Sequence, residues 1–332
     1  MNNILLISVF LTSLVGTLIF IKFAKRVGLM DIPNERSVHT KPIPRGAGIA
    51  FVLAVFIGLF LFDFEYFKTY YYIYLAIAIV FVAGTWDDMK GISPKIKFIF
   101  MFFSMLLLYI NDVAIYSLGI YFGYEILLPV WLVFPFTFFA IAGFTNALNL
   151  IDGLDGEAAS ISIVIFVTFL LIGIEHSDEL LISLSSVFIV TLLVFLLFNW
   201  NPAKMFMGDS GSLSLGMVIA ILAIQSVQYI APASILFIVA LPLLDTFIVL
   251  TRRIQRHQSP FKADKNHMHH LLFSVKGDIP YTVEILIMMQ IVFSIIGYQV
   301  SQANNLLSLI LFILLFYLYL NLFDQRLKRR QS

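Results

Sequence analysis

Five short stretches of this chain hold nearly all the side chains able to do chemistry. Asp87 and Asp88 follow Trp86 at the end of an apolar run. Neighbouring carboxylates are common on solvated helix ends, but they can also share one hard cation or divide into a metal-side group and a base. Asn146, Asn149, Asp152 and Asp155 recur every third residue, with Gly153 and Gly156 after the two acids. That spacing keeps polar groups on neighbouring parts of one helical face, and the glycines let backbone approach a ligand closely. A cap or turn would need one such residue, so four point to a function. Asn199, Phe206, Asp209 and Ser210 lead into another apolar run. Asp209 with Ser210 reads either as a plain helix cap or as an oxygen ligand beside free helix N–H groups, suited to a metal–phosphate complex. Phe206 is either core or a stacking surface for a base. Lys41, with the backbone N–H groups around Gly46 and Gly48, suits a phosphate, although a basic juxtamembrane loop also suits anionic lipid. Arg252 and Arg253, followed by His267, His269 and His270, combine fixed positive charge with donors, which fits phosphate better than zinc because the cations would repel the metal. Asp245 lies deeper, after Pro242, and is a functional candidate, a partner for Arg252 or an acceptor for backbone freed by the proline.

The elements that must position these groups are membrane helices. The 332 residues are 60% hydrophobic and 12% charged, too little polar surface to cover a soluble fold. Eleven apolar runs, at 3–23, 48–66, 69–85, 96–110, 127–145, 158–174, 180–198, 211–228, 232–250, 283–300 and 304–322, predict an all-α polytopic membrane protein, a bundle of eleven transmembrane helices. With the N-terminus outside and the C-terminus cytoplasmic, all but Lys68 of the 21 basic residues fall inside. The cytoplasmic loops are then 24–47, 86–95, 146–157, 199–210 and 251–282, within a single domain over 1–332. These loops carry the motifs. A net charge of +1 excludes a strongly basic nucleic-acid binder, and the absence of cysteine excludes thiolate chemistry and Cys-ligated metals.

Many carboxylates with many cations at one membrane face suit a Mg²⁺-bridged diphosphate, and a site at the bilayer edge implies one greasy and one soluble substrate. The motifs between Asp31 and His270 resemble the polyprenyl-phosphate N-acetylhexosamine-1-phosphate transferase family. Asp87-Asp88, the Asn146 to Gly156 block, the Asn199 to Gly211 block and His267-Met268-His269-His270 stand in that family's order. The spaced histidines after Arg252-Arg253 are similar to its N-acetylhexosamine branch; the peptidoglycan branch has three consecutive histidines. Two departures are Ala47, where a third glycine is usual, and Glu157, where an apolar residue is usual.

The resemblance implies a Mg²⁺-dependent phosphoglycosyltransferase, with Mn²⁺ as a substitute, in a bacterial inner membrane with its active site facing the cytoplasm. It would transfer N-acetylhexosamine-1-phosphate, foremost GlcNAc-1-phosphate, from the UDP-sugar to undecaprenyl phosphate. UMP would be released, and a cell-envelope polysaccharide such as O-antigen or teichoic acid begun. Asp87 and Asp88 would flank the reacting phosphates and act in catalysis with His267, His269 and His270. Asp209, with Asp152, would hold the metal. Asn149, Asp152, Asp155 and Phe206 would face the nucleotide, joined in substrate binding by Lys41, Asn146, Asn199, Arg252 and Arg253. A homodimer is compatible with this family. Two alternatives stand beside this reading: another UDP-N-acetyl sugar donor, and, from a different class, a cation-coupled transporter or lipid flippase. A transporter relay predicts ionisable groups near the bilayer midplane, where only Asp245 qualifies.

Overall fold

The computed structural model describes residues 3–33, 41–257, 267–302 and 305–331, with side chains up to 322. Asn34, Glu35, Arg36, Ser37, Val38, His39 and Thr40 of the first loop, and Lys262, Asp264, Lys265 and Asn266 of the last, lie outside the described residues. So do the side chains of Arg326, Lys328, Arg329 and Arg330. The chain is 76% helical. Its helices are α1 (Asn3–Phe23), α2 (Gly48–Phe62), α3 (Phe64–Thr69), α4 (Tyr71–Lys90), α5 (Pro94–Ile110), α6 (Val130–Leu150) and α7 (Glu157–His176). There follow α8 (Glu179–Asn199), α9 (Gly208–Ser226), α10 (Pro232–Ile238), α11 (Ala240–Gln255), α12 (Met268–Lys276), α13 (Ile279–Gln299) and α14 (Asn305–Gln331). Two small antiparallel hairpins complete it: β1 (Met30–Asp31) with β2 (Ile43–Pro44), and β3 (Ser117–Tyr121) with β4 (Tyr124–Leu127).

Each of the eleven apolar runs falls largely on a helix or on the pair α10–α11, as expected where no water can satisfy a backbone outside a helix. Among the described residues, eight helices are long and apolar enough to cross a membrane, and a ninth span results if α10 and α11 count as one. The chain is a multi-pass membrane protein. Helices α2 and α5 are shorter, at 15 and 17 residues.

Helix α9 is the most buried of these spans and packs against α2, α4, α6, α7 and α8. Small residues make this possible. A Cβ at Gly48 would fall inside the backbone of Gly211, and one at Gly84 inside that of Asp209 and Ser210, so α2 and α4 meet the start of α9 main chain to main chain. Two hydroxyls within α9 are satisfied locally: Ser212 and Ser214 donate to the carbonyls of Gly208 and Ser210, at 3.1 and 2.7 Å.

Between α10 and α11 the chain bends by 86°. The backbone groups freed there are taken up by Gln290 of α13, whose Oε1 accepts the Leu241 N–H at 3.2 Å and whose Nε2 donates to the Ile238 carbonyl at 2.8 Å. Pro242 marks this region in the sequence, but the bend itself sits at Val239 and depends on a distant side chain. Replacing Gln290 by leucine strands two buried backbone groups at about 1–3 kcal/mol each. A clear drop in the thermal unfolding midpoint of the detergent-purified variant is the expected result.

Candidate active site

Four of the five loops and the start of α9 and of α12 enclose a cavity of about 920 Å³ at one end of the bundle. Lys41 and Arg45 line it from the first loop, Asn149, Asp152 and Asp155 from the α6–α7 connection, and Asn199, Lys204 and Phe206 from the α8–α9 connection. Asp209 and His270 complete the polar wall. Main-chain bonds latch the first loop to the α8–α9 connection. The Phe206 N–H donates to the Pro44 carbonyl at 2.7 Å, and the Gly46 and Ala47 N–H groups donate to the Phe206 carbonyl at 3.2 and 3.1 Å.

Beside this cavity the charges form one chain. Lys97, near the start of α5, bonds Asp209 Oδ2 at 2.5 Å and lies 3.1 Å from Asp87 Oδ2. Arg45 reaches Asp209 Oδ1 at 3.3 Å and Asp88 Oδ1 at 3.4 Å. Burial works against the Arg45 charge, but Asp88, Asp209, Asp31 and Asp87 outweigh it and hold the guanidinium above its ordinary range. Asp87 also accepts the Ile92 N–H at 2.8 Å, fixing the turn after α4.

The two adjacent acids thus do different things. Asp88 accepts the N–H groups of Asp209 and Ser210, each at 2.9 Å. It caps α9 from a neighbouring helix, satisfying donors that a helix start leaves open. Gly208, at φ +71, has no Cβ where the Asp88 carboxylate passes. Asp209 is not the cap of its own helix and is free to present its carboxylate sideways. Lys97 and Arg45 were missed as site residues in the sequence reading. The available signal was a lysine one turn into an apolar helix, directly after the loop that carries two acids.

Asn149 donates to Ser212 Oγ at 2.7 Å, joining α6 to α9. Asp152 is half-buried in the wall; burial first, then the Glu157 and Asp209 carboxylates, push its carboxyl up to about 7. Asp155 accepts from Asn201 Nδ2 at 2.8 Å and from the Ala203 N–H at 3.0 Å. Asn199 accepts the Gly156 N–H at 2.9 Å and donates to the Met205 carbonyl at 2.8 Å. Asp155 and Asn199 therefore brace two loops against each other while touching the cavity. Asn146, half-buried one turn earlier on α6, is not part of the lining.

The last loop is anchored by buried acids. Asp245 Oδ2 lies 2.6 Å from His267 Nδ1, and its Oδ1 accepts the Met268 N–H at 2.6 Å, capping α12. Asp245 thus holds a histidine of the last loop, a partner that its place after Pro242 does not announce. His269 lies with Nδ1 3.3 Å from Glu157 Oε1. Burial pulls the His269 imidazole down, yet Glu157, Asp245 and Asp152 together raise it above its ordinary value. Only His270 of the three lines the cavity, while Arg252 and Arg253 are buried in the last turn of α11 outside that lining.

Residues 70–227, which include α4 with its acid pair, α6 and α9, match the family model described as glycosyl transferase family 4. A Bacillus subtilis protein named "probable undecaprenyl-phosphate N-acetylglucosaminyl 1-phosphate transferase" is 34% identical over 314 residues, covering 93% of this chain and 87% of its own length. The chain belongs to this family. Family 4 relatives named undecaprenyl-phosphate alpha-N-acetylglucosaminyl 1-phosphate transferase, from Yersinia pestis and Escherichia coli K12, are each 30% identical across 95% of this chain and 89% of theirs. These alignments extend beyond residues 70–227 to nearly the whole chain of this family 4 member.

Proposed function

We propose that this cavity transfers GlcNAc-1-phosphate from UDP-GlcNAc to undecaprenyl phosphate and releases UMP. The observation that carries the reading is the pairing of two unlike clefts on one helix. Asn149 of α6 lines the charged cavity, while Phe144 and Ala147 of the same helix line a cleft of about 580 Å³ that is walled almost wholly by apolar groups from α6, α9, α10 and α11, with β3 and α14 contributing. A polar donor and a prenyl acceptor need that adjacency. The names of the relatives support the undecaprenyl phosphate acceptor and the N-acetylglucosaminyl 1-phosphate group.

Topology follows the same proposal. Eleven spans with the N-terminus outside and the C-terminus cytoplasmic make one membrane domain, whose active site faces the cytoplasm of a bacterial inner membrane. Lys41, Arg45 and Lys204 attract the diphosphate and offer it fixed donors. Phe206 offers its ring to the base. Because Asp88 is committed to α9, Asp87 is the acid that takes the proton still carried by the incoming lipid phosphate. An oxygen of that phosphate attacks the β-phosphorus, forming the new P–O bond as the bond to the bridging oxygen breaks and UMP departs.

The donor set fits Mg²⁺ or Mn²⁺. Asp209 and Asp152 both line the cavity and offer carboxylate oxygens, the hard donors that such cations take. Among the described residues no group of three or more His, Cys, Asp or Glu could hold a metal unaided. A hard cation gripped by one or two carboxylates and completed by substrate phosphates matches that arrangement. Asp209 and Asp152 would hold it, and when bound it neutralises charge on the diphosphate. The product would begin a cell-envelope polysaccharide.

The test is direct. Purified protein with Mg²⁺ and undecaprenyl phosphate is offered a panel of UDP-sugars, and UMP is measured. Release from UDP-GlcNAc above all others is expected; release only from a different N-acetyl sugar corrects the donor, and no UMP from any donor overturns the reading.

A further inference from the structure

Glu157 opens α7 beneath the Asp152–Gly156 turn and is 2% exposed. An acid at a helix start suits the helix dipole, but this one also makes a hydrogen bond in one direction and an ion-pair contact in the other. Its Oε2 accepts the Leu154 N–H at 3.1 Å, and its Oε1 lies 3.3 Å from His269 Nδ1. The Cε1–Nε2 edge of His269 fills the space that a Cβ at Gly153 would need, and Gly153 lines the cavity. On its other side the His269 ring lies parallel to His267 at 5.8 Å, and Asp245 holds His267. His270, edge-on to His269 at 4.3 Å, belongs to the cavity wall. An apolar residue of similar size would serve the helix start with less desolvation cost. The buried pair instead fixes two chain segments, more than a hundred residues apart in sequence, in register.

We propose that Glu157 is a positioning residue for the donor: by tying the Leu154 amide to His269 it sets the His270 wall of the cavity against the Asp152 wall. The proposal rests on the transferase reading above. UMP release is compared for the full-length wild type, Glu157→Leu and Glu157→Gln in nanodiscs. Glu157→Leu is expected to raise KM for the UDP-sugar about tenfold, the worth of one charge-assisted hydrogen bond, with kcat within about twofold. KM for undecaprenyl phosphate stays unchanged. Glu157→Gln, which still accepts from Leu154 and can bond His269, recovers most of the donor KM. A donor KM in Glu157→Leu equal to wild type, or a fall in kcat with KM constant, overturns the proposal. Should Glu157→Leu fail to fold, Glu157→Ala combined with His269→Asn decides: donor KM no worse than the worse single variant supports the brace, and independent multiplying losses reject it. Wild-type turnover with unaffected variants ends this proposal alone, whereas a wild type that releases no UMP from any donor ends the transferase reading and this proposal with it.

Discussion

Asp209→Asn abolishes turnover and leaves the fold intact. The expected loss in kcat is about 10³-fold, the scale on which removal of a preorganised electrostatic contact acts. Stability is spared because the two cations on Asp209 keep other partners: Lys97 retains Asp87 at 3.1 Å and Arg45 retains Asp88 at 3.4 Å. The N-terminus of α9 also keeps its cap, since Asp88 accepts from the backbone at 209, which the substitution does not touch. UMP release and the thermal unfolding midpoint, measured on one preparation, check both halves. Near-normal turnover would refute the role given to Asp209.

Asp88→Ala, one helix away, loses both stability and activity. Two backbone donors at the start of α9 lose their acceptor and Arg45 loses a partner, at a side chain that is 0% exposed. At about 1–3 kcal/mol per stranded buried group, the fold loses roughly 2–6 kcal/mol. Turnover falls at least about 10²-fold because Asp209 rides on the frayed turn. Asp88→Asn keeps an acceptor for one of the two N–H groups and falls between alanine and wild type in both measurements. A pure base at this position predicts something else: alanine and asparagine equally inactive, both with unchanged unfolding midpoints.

The different fates of Asp87 and Asp88 show what the sequence could convey. Two adjacent acids in a chain so poor in charge stand out, and so do the third-residue spacing from Asn146 to Asp155 and the histidines of the last loop. The apolar runs were equally legible, since helix is the one local solution in lipid. Partners were not. Neighbours on a helix point about 100° apart, so Asp87 faces Lys97 while Asp88 faces α9, and nothing in the pair of letters says so. Asp155 and Asn199 read as ligands because a brace and a ligand need the same polar atoms at the same spacing. Lys97 and Arg45 passed for ordinary inner-face cations. Asp245 binds His267, a residue 22 positions later, and the bend near Pro242 is completed from α13. Each of these is a meeting of distant segments, which periodicity does not encode.

The bonds from Phe206 to Pro44, Gly46 and Ala47 join carbonyl and amide groups of the main chain. Every residue type except proline can supply such groups. The letter at 206 can therefore change without unfastening the seam, whereas Gly46 is held at φ +99 beside the Asp88 carboxylate and Arg45 pairs with Asp88 and Asp209. A chimaera that exchanges the two stretches for those of a relative with another sugar preference but keeps Arg45 and Gly46 should still close, and its selectivity would follow the transplanted side chains.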